Sequence, residues 1–151
     1  MQVKDAMNTP VVAVRPEDTL ADVAAIFREK NIRGAPVLDE GGNLVGIISE
    51  ADLITRSQEL EVSVSYDVFG WVSPQTPVED LAQFSRGLSN VGNTKVKQVM
   101  TKKVVTVSPQ DSVDRVAQLL AKNNINRIPV MDGAKLVGII SRADVIKAIG
   151  Q

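Results

Sequence analysis

A chain of 151 residues, 44% hydrophobic and 23% charged, can bury one substantial core or two small ones sharing an interface. Lys plus Arg number 17 against 18 Asp plus Glu, a formal net charge of −1, so no basic excess is available for a phosphate backbone and nucleic acid is a poor partner. Cysteine and histidine are both absent, which excludes disulfides, thiol redox chemistry, Cys nucleophiles, imidazole bases and almost every zinc site.

The start, Met1 to Asp5, has no signal-peptide apolar core, and no apolar run approaches the ~18 residues of a membrane span. The expected location is the cytoplasm. Val11, Val12 and Val14 are β-branched and predict a short strand closed by Pro16. Leu20, Val23, Ala24 and Phe27 fall at helical spacing and predict an amphipathic helix. Ala35-Pro36-Val37-Leu38, a turn through Asp39-Glu40-Gly41-Gly42-Asn43, and Leu44-Val45-Gly46-Ile47-Ile48 predict a hairpin. Ser49-Glu50-Ala51-Asp52 then opens a helix with an S-x-x-D signature.

Between Thr55 and Lys95 the chain changes character. Tyr66, Phe69, Trp71 and Phe84 are four of its five aromatic residues. Pro77 to Phe84 predicts one helix with proline at its start, and Ser89-Asn90-Val91-Gly92-Asn93 reads as loop. From Val96 the first pattern returns. Val104, Val105, Thr106 and Val107 predict a strand closed by Pro109; Val113, Val116, Ala117 and Leu120 repeat the helical spacing; Ser141-Arg142-Ala143-Asp144 repeats the helix opening.

The repetition extends to identity. Met7 aligns with Met100, Val11-Val12 with Val104-Val105, Pro16 with Pro109, Asn31-Ile32 with Asn124-Ile125, and Pro36-Val37 with Pro129-Val130. After a one-residue deletion, Leu44-Val45-Gly46-Ile47-Ile48-Ser49 matches Leu136-Val137-Gly138-Ile139-Ile140-Ser141 throughout. Two copies of one β-α-β-β-α unit of about 50 residues predict a mixed α/β (α+β) protein with two related clefts. The expected domains are residues 1–57, an intervening segment 58–95, and residues 96–151.

The pattern N-I-x-x-x-P-V-x-D followed by L-V-G-I-I-S-x-A-D, in tandem and each time preceded by M-x-x-x-V-V-x-V, resembles a pair of cystathionine-β-synthase (CBS) domains, a Bateman module. The resemblance implies two repeats packed through their small sheets as a pseudo-twofold pair. It also implies a disk-like homodimer, an adenosine-containing ligand (AMP, ADP, ATP or S-adenosylmethionine), and regulation or energy sensing through a partner protein.

The chemistry of a nucleotide cleft can be traced in the residues themselves. Ser49 and Ser141 each begin a helix, where unpaired N–H groups and the positive end of the dipole suit a phosphate. Asp52 and Asp144, one turn on, can accept two hydrogen bonds from a ribose diol. The competing reading is that Ser and Asp form a capping box with no ligand, and the two are compatible. The resemblance further implies an adenine slot at Val11-Val12 with Ala35-Pro36 and at Val104-Val105 with Ile128-Pro129; taken singly these are ordinary core residues, as are Met7 and Met100. Arg127 stands where the resemblance implies a basic group toward phosphate, and Arg142 follows Ser141. The first copy has Gly34 and Glu50 there, with Arg33 displaced by one, so the second cleft is expected to hold phosphate more tightly.

Three classes of function follow. The leading one is a regulatory adenine-nucleotide-binding module that signals to a partner protein. The second is a ligand-independent interaction protein, a thioredoxin-type regulator or scaffold, that uses the 66–84 segment. An enzyme is disfavoured, because no catalytic base is apparent.

Overall fold

The computed structural model describes residues 1–55 and 91–151; the aromatic 66–84 segment and the helix expected over 77–84 lie outside the described residues. The elements are α1 (Val3–Ala6), α2 (Leu20–Lys30), β1 (Gly34–Leu38), β2 (Leu44–Ser49), α3 (described over 50–55), α4 (Val96–Val99), α5 (Val113–Asn123), β3 (Arg127–Asp132), β4 (Lys135–Ser141) and α6 (Arg142–Ile149). Among the described residues, helices and two small two-stranded sheets, β1-β2 and β3-β4, make up a mixed fold.

Both long helices form where the apolar spacing places them, and their ends have local causes. Thr19 caps α2: its hydroxyl accepts from Asp22 N–H at 3.2 Å and its N–H donates to Asp22 Oδ2 at 3.1 Å. Those bonds, the main-chain one foremost, hold the Asp22 carboxyl below its usual range. Ser112 caps α5 by accepting from Arg115 N–H at 3.1 Å. At the other ends, Asn31 and Asn124 adopt left-handed φ of 53° and 51°. Ile32 and Ile125 then donate back to Phe27 and Leu120. The repeated Asn-Ile is thus a helix stop, since Asn accepts this conformation at less cost than most side chains.

The hairpins also match expectation. β3 and β4 pair antiparallel, with Arg127 opposite Ser141, Ile128 opposite Ile140 and an irregularity between Val130 and Met131. In the first copy Asp39 closes the turn by accepting from Asn43 N–H and Asn43 Nδ2, which lowers the pKa of its carboxyl.

Two expectations fail. The strands expected over Val11–Val14 and Val104–Val107 shrink to single parallel bridges, Val14 with Val37 and Val107 with Val130. The preceding valines are β-branched, yet among the described residues no strand ladder extends along them, and propensity without a ladder partner does not make a strand. Residues 91–93, expected as loop, are helical. One glycine costs a helix only about 1 kcal/mol, and Thr94 N–H closes back onto the Val91 carbonyl at 3.1 Å.

The described chain divides into two units. One comprises Met1–Arg15, Gly34–Ile47 and Thr101–Gln151; the other takes Pro16–Arg33 and the described residues from Ile48 to Met100. In the first unit the N-terminal leader joins the second repeat. Val3 and Lys4 N–H donate to the Asp111 and Pro109 carbonyls, and fully buried Val3 enters a core of Val113, Val116, Leu120, Ile128, Val130 and Ile140. In the second unit the leader of the second repeat does the reciprocal thing. Val96 and Lys97 N–H donate to the Asp18 and Pro16 carbonyls, and Val96 is fully buried. Glu17 fastens that leader, accepting from Lys95 Nζ at 2.7 Å and Lys97 Nζ at 2.8 Å. The two ammonium groups lower its pKa to about 2.

The S-x-x-D turn of the second repeat

In the second repeat the hairpin register and the helix that follows bring four of the expected residues to one end of the sheet. Arg127 begins β3 directly opposite Ser141, the last residue of β4, and Ser141 is the N-cap of α6, which contains Arg142 and Asp144. Ser141 and Asp144 form the full capping box: Asp144 Oδ2 accepts from Ser141 N–H and Oγ at 2.8 Å each, and Ser141 Oγ accepts from Asp144 N–H at 3.3 Å. Asp144 is half-buried.

A residue that sequence reasoning missed completes the cluster. Asn8 Nδ2 donates to Asp144 Oδ2 at 2.7 Å. The bond spans 136 positions, beyond any local spacing argument. The only trace in the sequence is the repeat alignment, which sets Asn8 against Thr101 one residue after the matched methionines.

Both arginine side chains fold back onto the chain, although Arg142 is exposed. Arg142 N–H donates to the Asn126 carbonyl and its Nε to the Ile125 carbonyl at 3.1 Å, which turns the guanidinium back over the start of β3. The Arg127 side chain lies across Gly34: a Cβ added at Gly34 would stand 2.5 Å from Arg127 Cδ. Gly34 and Arg127 are the same position of the two repeats, so one copy keeps a glycine where the other copy's long side chain must pass.

The first repeat has a simpler turn. Asp52 Oδ2 accepts from Ser49 N–H at 2.7 Å and Ser49 Oγ at 3.2 Å, and among the described residues it has no further donor. Glu50 N–H donates to the Arg33 carbonyl, and Glu50 is exposed.

The residues expected to flank an adenine ring divide by burial. Ala35, Pro36, Ile128 and Pro129 have fully buried side chains, whereas Val11, Val12, Val104 and Val105 are half-buried. Met7 packs against the core, as its composition suggested. A hollow of about 410 Å³ in the first unit has Leu44, Val104 and Met131 as apolar lining and Asn43, Lys102 and Thr106 as polar lining. Val104 alone among the expected site residues borders it. Among the described residues no cluster of carboxylates could hold a metal ion, and no helix is long and apolar enough to cross a membrane.

The family model for the CBS domain matches residues 3–59 and 96–151. The chain is a tandem CBS-domain protein. Protein MJ1426 of Methanocaldococcus jannaschii is 38% identical over 154 residues, 99% of this chain and 91% of that protein. Among solved structures, CBSX2 in complex with AMP superposes with a TM-score of 0.71 at 25% identity, covering 99% of this CBS pair and 96% of that chain. The CBS domain pair of protein MJ0100, solved with 5′-methylthioadenosine and S-adenosyl-L-methionine, gives the same TM-score, identity and coverage. CBS pairs similar to this one therefore hold adenosine-containing ligands.

Proposed function

We propose that this CBS pair is a non-catalytic regulatory module that binds an adenine nucleotide (AMP, ADP or ATP, with S-adenosylmethionine as the related alternative) and passes the bound state to a partner protein. The observation that carries this reading is the Asp144 carboxylate, half-buried at the N-terminus of α6 with Asn8, Ser141, Arg142 and the main chain of Arg127 around it. A carboxylate there suits a ribose diol, and the helix terminus with its neighbouring guanidinium groups suits phosphate. The ligands held by CBSX2 and the MJ0100 pair supply the adenosine. Residues 1–57 and 96–151 act as the two CBS domains, with 58–95 between them.

A homodimer belongs to the same reading. Ile146 and Ile149 lie three residues apart on α6 and are 69% and 76% exposed, an apolar face that a second copy would cover. Sedimentation at tens of micromolar should give a dimer that Ile146→Glu dissociates.

The ligand assignment is tested by thermal-shift screening with AMP, ADP, ATP, S-adenosylmethionine and NAD, followed by calorimetry. A ligand that binds only the folded chain raises its melting temperature. Binding of at least one adenine nucleotide, weakened by Asp144→Asn, is the expected result. Indifference to all five overturns the reading.

A further inference from the structure

The bonds around Asp144 are unevenly shared between its two oxygens. Ser141 N–H, Ser141 Oγ and Asn8 Nδ2 all donate to Oδ2, at 2.8, 2.8 and 2.7 Å. None of the three reaches Oδ1. A carboxylate can only accept, so the Asn8 amide must present its nitrogen, and a short bond to an ionised acceptor is among the stronger neutral-to-charged pairs. Two of the donors belong to the cap and recur at Asp52. The third comes from the other repeat.

Asn8 is itself fixed. Its N–H donates to the Ile139 carbonyl at 2.8 Å and its carbonyl accepts from Ile139 N–H at 3.2 Å, so the main chain is pinned to β4 on both sides of the side chain. Thr101 makes the equivalent pair with Ile47 in the first copy, but its side chain lacks an amide. We propose that Asn8 is a positioning residue: it locks Asp144 through Oδ2 and leaves Oδ1, which none of these donors engages, to accept a ribose hydroxyl. This rests on the reading of Asp144 as the ribose contact. It adds that ribose selectivity in the second repeat is set by the leader of the first. Rotating the locked carboxylate would break three bonds at once, whereas Asp52 is turned against Ser49 alone among the described residues.

The test compares nucleotides with and without the ribose diol. Calorimetry with AMP, ATP, 2′,3′-dideoxy-AMP and 2′,3′-dideoxy-ATP is run on the parent chain, Asn8→Ala and Asn8→Asp, with melting temperatures measured alongside. The parent should prefer the ribose forms. Asn8→Ala should weaken their binding about tenfold while leaving the dideoxy forms unchanged, so that selectivity collapses. Asn8→Asp, which sets one carboxylate against another, should weaken the ribose forms further. If Asn8→Ala weakens all four alike, or none, Asn8 does not position Asp144 for ribose and the proposal falls. If the parent binds the ribose and dideoxy forms equally, the assignment of Asp144 to ribose falls with it, and if it binds no adenine nucleotide the nucleotide reading falls as a whole.

Discussion

The two S-x-x-D turns start from the same four-residue signature and end as different chemical environments. Asp52 is held by Ser49 and sits beside the exposed carboxylate of Glu50, while Asp144 is held by Ser141 and Asn8 and sits beside Arg142. Local sequence makes both caps. What separates them is one neighbour in sequence, Glu50 against Arg142, and one in space, Asn8. Duplication can thus preserve a scaffold while each copy's site is tuned by residues outside the shared motif.

The largest expected effect tests the reciprocity of the scaffold itself. Val3→Ala and Val96→Ala each remove two methyl groups from a fully buried position, and each should cost about 2 kcal/mol of stability in urea unfolding. Losses differing by more than about 1 kcal/mol would mean that the leaders are not equivalent. Next, Asp144→Asn should weaken nucleotide binding by about 1.5–3 kcal/mol in calorimetry, the range for a hydrogen bond to a charged group, with Asp52→Asn losing less. Equal losses would erase the difference between the turns. The charge reversals follow: Arg142→Glu should weaken the second site and Glu50→Arg strengthen the first, each by about 1 kcal/mol and less at high salt.

The smallest effect belongs to the Glu17 clip. Its carboxyl titrates from about 4.5 unfolded to about 2 folded, so its contribution is complete above pH 4.5 and disappears as pH falls through about 2. Glu17→Gln should therefore lower the melting temperature slightly at pH 7, and the gap should close on acidification and at high salt. A gap that persists at pH 2 would assign the effect to packing instead.

Much of this was legible in the sequence because it rests on local rules. The helices over Leu20–Lys30 and Val113–Asn123 follow from apolar spacing, the hairpins from Gly-rich turns between β-branched runs, and the caps at Ser49 and Ser141 from the S-x-x-D signature. The valines at 11–12 and 104–105 misled because strand propensity cannot say whether a partner strand is present. Asn8 and Gly34 were illegible for another reason. Each owes its role to a residue far along the chain, Asp144 in one case and Arg127 in the other, and no window in the sequence contains both members.

The exchange of leaders also fixes an order of events during synthesis. Val3 is synthesised more than about 100 residues before the pocket that buries it, which is built from Val113, Val116, Ile128 and Ile140. Until those are made, Val3, Ala6 and Met7 lack the core they pack against in the folded chain. The contact spans most of the chain and closes late and slowly, as contacts of high sequence separation do. A nascent chain stalled after the first repeat would leave Val3, Ala6 and Met7 without that core, a natural target for chaperone capture or for pairing with the same pocket in a neighbouring finished molecule.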